Sequence, residues 1–176
     1  ERSDPIRADG GATADVAGDV VERAVETESE RVDALLERDG LNHADVRADV
    51  QQSMTEFVNV FREEAGIEQA LEDIRTARER YQDVAVEDPS RTYNTDLIHT
   101  IETRNILDCA EAIALGALAR EELRGAHWRR EHQERRDEEW LKHTMLAWND
   151  GTPELYYTDV ILEGEDKTYE PKVRSY

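Results

Sequence analysis

The stretch Ile106-Leu-Asp-Cys-Ala-Glu-Ala-Ile-Ala-Leu-Gly-Ala-Leu-Ala119 decides the fold. Charged residues make up 36% of the chain, yet only Asp108 and Glu111 are charged here, so a helix over this run is apolar nearly all round and must be packed on several sides. Upstream, Asn94 or Thr95 can cap the helix; downstream, Gly125 after Arg124 offers a left-handed C′ residue. The spacing predicts one helix from that cap to Arg124, about 30 residues or roughly 45 Å at 1.5 Å per residue, against a radius of gyration of roughly 16 Å for a domain of this size. It is the expected spine. Cys109, the sole cysteine, lies in this run and is predicted to be a buried thiol; alone it forms neither an internal disulfide nor a thiolate zinc cluster.

Working outward, no proline interrupts the chain between Pro5 and Pro89 or between Pro89 and Pro153. Val16, Val20, Val21, Ala24, Val25, Val32, Leu35 and Leu36 recur at helical spacing and predict a helix over about Asp15 to Arg38, stopped by Gly40. Asn42 can cap a second helix with Asp45 at N3, its stripe being Val46, Val50, Met54, Phe57, Val58 and Phe61. Gly66 ends or interrupts it, and Ile67, Ala70, Leu71, Ile74, Ala77 and Tyr81 carry a third helix to Asp88-Pro89. Beyond Trp140, β-prone runs flank Asn149-Asp150-Gly151, which reads as a hairpin that must lean on other elements because an isolated one is marginal in water. The expected fold is mainly α: a three-to-four-helix bundle with one long central helix, then a C-terminal β-hairpin and extended tail. Residues 1–13, including Asp9-Gly10-Gly11-Ala12, read as a flexible lead-in, 14–130 as the bundle and 131–176 as hairpin and tail.

The balance of 42 acidic against 22 basic residues gives a formal charge of −20, which repels phosphate backbones, and no basic stripe interleaved with aromatics offsets it; nucleic-acid binding is not expected. No run of 18 apolar residues occurs, so direct membrane insertion is not expected either. The N-terminus, Glu1-Arg2-Ser3-Asp4, lacks a start Met and a signal-like stretch, and the chain is expected to be cut from a longer one. Only three basic residues are lysine (Lys142, Lys167 and Lys172). Acid excess with so little lysine points to a salt-rich cytoplasm, where self-repulsion is screened; an acidic surface meant for a basic partner is the weaker alternative, because the acids are not blocked.

No strand precedes a Gly-x-Gly-x-x-Gly spacing, no Gly-x-Ser-x-Gly elbow is present, and His127, His132 and His143 are spaced too widely to converge on one metal, so neither a catalytic nor a metal site is predicted. Basic residues concentrate instead from Arg120 to Arg136. Two readings stand side by side. The arginines complement a helix C-terminus and pair with neighbouring acids, or the segment is an anion-facing loop that docks carboxylates of another surface.

The segment Arg120-x-Glu122-x-Arg124-Gly125-Ala126-His127-x-Arg129, then Arg136-Asp137-Glu138-x-Trp140-x-x-His143-Thr144, then Pro171-Lys172-Val173-Arg174-Ser175-Tyr176, resembles the C-terminal region of the flavoprotein subunit of succinate dehydrogenase and fumarate reductase. Arg104-Asn105-Ile106-Leu107-Asp108 is similar to that family as well, and the likeness is strong from about Asn94 onward. Leu123 stands where the family usually has Ser. L-aspartate oxidase shares a similar helical region but matches the Trp140 to His143 run and the chain ending less well. The resemblance implies a parent enzyme that oxidises succinate to fumarate, with FAD and the catalytic residues in domains N-terminal to this one and electrons passed through an iron–sulfur subunit toward quinone. This piece would be a non-catalytic buttress at the cytoplasmic face of the membrane, in an organism such as a halophilic archaeon. Arg124, Gly125, His127 and Arg129 would dock against the flavin-binding domain of the same subunit. The rivals are a stand-alone acidic helical protein-interaction module and an independent metalloenzyme. For the salt reading, the melting temperature followed by circular dichroism is expected to rise steeply toward molar salt; a flat dependence contradicts it.

Overall fold

The computed structural model describes residues 18–149, 151–164 and 167–172. The expected lead-in and the last four residues, with Arg174 and Ser175, lie outside these. Five helices are present among the described residues: α1 (Gly18–Glu37), α2 (His43–Phe57), α3 (Glu64–Tyr81), α4 (Thr95–Ala119) and the short α5 (Asp137–Trp140). The eight-residue strands β5 (Lys142–Asn149) and β6 (Thr152–Asp159) pair antiparallel, with Asn149 opposite Thr152. Four two-residue strands are also present among the described residues: β1 (Leu41–Asn42) beside β3 (Val84–Ala85), and β2 (Phe61–Arg62) beside β4 (Trp128–Arg129), both pairs parallel. The mainly helical domain with a following hairpin is the architecture the periodicity predicted.

Helices α2, α3 and α4 share one core, in which Val46, Val50, Ile67, Ile74 and Leu107 interlock. Ala70, Ala77, Ala110, Ala114 and Ala117 line the contacts, and their small side chains let the helices approach closely. Both predicted caps form. Asn42 accepts from the Ala44 N–H at 2.8 Å, and the buried Asn94 accepts from the Leu97 N–H at 2.8 Å while its amide donates to the Asp88 and Ser90 carbonyls. Between α3 and α4, Arg78 donates to Asp108 at 2.6 Å and Glu111 at 2.7 Å. The hairpin leans on α4, as an isolated one must, with Trp140 buried edge-on to Tyr157 at 5.8 Å.

Several expectations need correction. The spine stops at Ala119, giving 25 residues or about 37 Å, because Arg120 takes an extended backbone and turns its guanidinium toward the hairpin. It is also not enclosed all round: Ile113 is 53% exposed, and the buried positions Thr103, Leu107, Ala110, Ala114 and Ala117 trace one stripe. Cys109 falls off that stripe and is exposed rather than buried. In α1 only Leu35 is buried, while Val20, Val21 and Val25 are 48–65% exposed, so the valine stripe does not enter the core. Gly66 sits inside α3, since α2 already ends at Phe57; Phe61 leaves the α2 stripe for the exposed strand β2. Helix α3 ends at Tyr81 because the β-branched Val84 and Val86 are buried in extended chain beside β1 and α1. Gly40 is a stop for a tertiary reason: a Cβ there would lie 2.0 Å from the Asp83 carbonyl oxygen. The tail is not wholly extended, since Gly164 N–H donates to the Lys167 carbonyl and Tyr169 N–H to that of Leu162.

Ile67→Ala, at the centre of the shared core, is expected to cost about 2–5 kcal/mol in urea unfolding, while Val25→Ala on the exposed α1 face should change stability by less than about 0.5 kcal/mol.

Candidate functional site

The loop from Arg120 to Asp137 is organised by one buried carboxylate. Glu122 is 0% exposed. Its Oε1 accepts from Arg120 Nε at 2.9 Å and Arg124 Nε at 2.6 Å, and its Oε2 from Arg124 Nη2 at 3.0 Å and the Arg136 backbone N–H at 3.1 Å. Burial alone would raise its pKa, but these donors prevail and hold it below the ordinary carboxylate value. Arg120 spends its remaining donors on β5, to the Lys142 carbonyl at 3.1 Å and Thr144 Oγ1 at 2.9 Å, and on the Trp140 carbonyl at the end of α5. Arg124 reaches on to Asp137 at 2.6 Å, where Arg135 also donates, and the two guanidiniums pull the Asp137 pKa to about 2.

Gly125 adopts φ +59°, left-handed as predicted, but in a tight turn and not at a helix end: Arg124 and His127 exchange backbone hydrogen bonds at 3.1 and 2.9 Å across it. The turn aims His127 inward. Its Nε2 donates to the Arg120 carbonyl at 2.9 Å, which leaves Nδ1 as acceptor for Arg62 Nη1 at 3.0 Å, so these partners assign a neutral ring. Burial, aided by the charges of Arg62, Arg120 and Arg129, lowers the His127 pKa below 6.5. Arg129 is 1% exposed and donates to the Leu118 carbonyl at 2.6 Å, at the C-terminal end of α4, and to Glu64 at 2.9 Å. Glu131 accepts from the Glu64 N–H at 2.9 Å, giving α3 the N-terminal partner that its own Glu63 does not supply.

These contacts leave a recess of about 430 Å³ between the end of α4 and β5. Arg62, Arg120, Arg124, His127, Lys142 and His143 line it, and no aspartate or glutamate does. Its apolar floor includes Ala117 and Leu146. Of the four residues singled out in the sequence, Arg124 and His127 face the recess, Gly125 makes the turn that orients them, and Arg129 is withdrawn into the body of the domain. Arg62 escaped sequence reading because it lies 65 residues before His127 and is delivered by the β2–β4 pairing, with Arg130 N–H donating to the Arg62 carbonyl at 2.8 Å. The hub role of Glu122 was equally invisible, since its charge pattern matches many exposed acids nearby. Arg120 is fully committed to Glu122, β5 and α5, but Arg62 Nη2, Arg124 Nη1 and the Lys142 ammonium have no hydrogen-bond partner among the described residues and can hold carboxylates from an opposing surface.

The family described as Fumarate reductase flavoprotein C-term matches residues 47–176. The chain is 36% identical over 132 residues to the fumarate reductase flavoprotein subunit of Haemophilus influenzae, covering 74% of this chain and 22% of that protein. It is 35% identical over 162 residues to the succinate dehydrogenase flavoprotein subunit of Rickettsia bellii, covering 89% and 27%. Its fold is similar to an E. coli quinol fumarate reductase chain with a TM-score of 0.79 at 33% identity, over 95% of this chain and 28% of that one. An adenosine-5-phosphosulfate reductase at 17% identity shares the fold alone, with a TM-score of 0.66. The chain spans about a quarter of the length of the curated relatives it matches.

The Glu122 hub predicts the acid limb of stability. Because its folded pKa is depressed, the unfolded state binds more protons below about pH 4.5, and stability should fall with pH through that window as the carboxylate is protonated. Glu122→Gln is expected to cost about 3–5 kcal/mol near neutral pH, by leaving guanidiniums uncompensated, and to flatten that acid limb in urea unfolding.

Proposed function

This chain belongs to the family of fumarate reductase and succinate dehydrogenase flavoprotein C-terminal domains, and we propose that it is the helical buttress of such a subunit, docked through its basic recess on the flavin-binding domain of the same polypeptide. The parent interconverts succinate and fumarate, with FAD as the carrier of hydride and an iron–sulfur subunit as the next electron carrier. Its place is peripheral, at the cytoplasmic face of the membrane, in keeping with the observation that no helix among the described residues is long and apolar enough to cross a bilayer. The acid excess with three lysines supports a salt-adapted source such as a halophilic archaeon.

FAD belongs to the rest of the subunit in this reading: the sequence holds no Gly-x-Gly-x-x-Gly, and among the described residues no strand leads into a glycine-rich helix start. What supports a docking role is the acid-free recess in a chain of charge −20. Arg124 and His127 face the flavin-binding domain, Gly125 shapes the turn, and Arg129 anchors the loop to α3 and α4 so that the docking face keeps its form. The neutral His127, with both ring nitrogens committed to Arg120 and Arg62, holds the loop against β2 without adding charge to a site already crowded with guanidiniums.

The test uses the full-length flavoprotein subunit. Lys142 has no ion-pair partner among the described residues and stacks its ammonium over Trp140 and Tyr157, so Lys142→Glu lowers the recess charge by two without removing a member of the Glu122 hub. It is expected to weaken docking by about tenfold, ~1.4 kcal/mol, read as lost flavin absorbance and slower succinate oxidation with unchanged helical content; Arg124→Ala should act in the same direction. Full flavin retention, assembly and turnover in both variants would overturn the docking role.

A further inference from the structure

A second recess, remote from the basic loop, opens where the end of α1 meets α3 and α4. Its volume is about 370 Å³, and four arginines line it: Arg31, Arg38, Arg78 and Arg104. No aspartate or glutamate does, although acids outnumber lysines and arginines 42 to 22 in the chain. Arg31 is drawn to Glu28 at 2.7 Å, and Arg78 to Asp108 and Glu111. Arg38 and Arg104 have no ion-pair partner among the described residues, and the Nε of Arg38 is buried without a hydrogen-bond acceptor. That N–H is closed off by the surrounding chain, so the donors Arg38 can offer a ligand are its terminal NH2 groups, which have no acceptor among the described residues.

The walls strengthen the case. Leu35 and Leu107 are buried at the edge of the recess, and such apolar surroundings lower the local dielectric and magnify any charge interaction there. Tyr81 also lines it, but its hydroxyl is already committed to the Thr100 carbonyl at 2.9 Å. Burial raises the Tyr81 pKa, while the charges of Arg31, Arg104 and Arg38 pull it back, which is what convergent guanidiniums around one ring would do.

We propose that this recess binds a phosphate-class dianion, free or as a monoester, bridged between the terminal NH2 groups of the half-buried Arg38 and the exposed Arg104. Two unpartnered guanidiniums match two negative charges, and each planar fork matches a pair of oxygens. This site is separate from the docking recess and does not depend on the function proposed above.

Isothermal titration calorimetry of the intact protein with inorganic phosphate, in potassium chloride of constant ionic strength, should give saturable one-to-one binding. The Arg38→Gln, Arg104→Gln double variant is expected to bind at least tenfold more weakly, and Arg47→Gln, on a different face, as wild type. A parallel titration with adenosine monophosphate separates the sources: tighter binding than inorganic phosphate assigns an esterified ligand, equal or weaker binding the free ion. If the double variant loses its helical circular dichroism, Arg104→Lys, which keeps the charge and loses the fork, should still weaken binding severalfold. Absence of saturable binding, or equal affinity in the folded variants, would overturn the proposal.

Discussion

A carboxylate with no exposed surface holds the distal half of this domain together. An ionised group removed from water is tolerated only when its oxygens are saturated by donors, and Glu122 receives two guanidiniums and a backbone N–H. The geometry that satisfies Glu122 then dictates much else. Arg120 must leave the helix to reach it, which ends α4 at Ala119; in leaving, it carries its other donors to the hairpin and ties β5 to the spine. Arg124 must point inward from a tight turn, which requires the left-handed Gly125 and delivers His127 to Arg62. Helix length, turn type and hairpin seating are consequences of one desolvated charge.

Arginine is distributed with similar economy. At surface positions such as Arg23 and Asp19, helix-spaced pairs serve mainly to balance neighbouring acids. At the C-terminal end of α4 the same residue type closes loops through several donors at once, a task suited to a planar fork and not to an ammonium point charge. Between these extremes lie two recesses from which carboxylates are excluded. In a strongly acidic chain, concavities lined by basic side chains and free of carboxylates are the places suited to an anionic surface or ligand.

Periodicity and capping chemistry were legible directly. The stripe through Val46, Val50, Ile67 and Ile74 and the caps at Asn42 and Asn94 act within a few residues of themselves, so local physics determined them. The valines of α1 show the limit of the same argument: helical spacing established the helix, but whether its apolar stripe meets a partner depends on what lies opposite, and in this domain Val20, Val21 and Val25 face outward. Cys109 illustrates it again, because an apolar neighbourhood in sequence became an exposed position once the α4 stripe turned one residue away.

The amino-acid sequence by itself determined a mainly helical chain with a terminal hairpin, its acidity, and a basic cluster beginning at Arg120, because composition and short-range spacing are properties of neighbours. Only the tertiary structure decided which acid is buried, which arginines are consumed in holding the fold, and which remain facing open recesses. Arg62 meets His127 across 65 residues, and Arg38 comes into one recess with Arg104. Such meetings arise from the packing of whole elements, where the cost of desolvating each charge is settled by partners that sequence spacing cannot name.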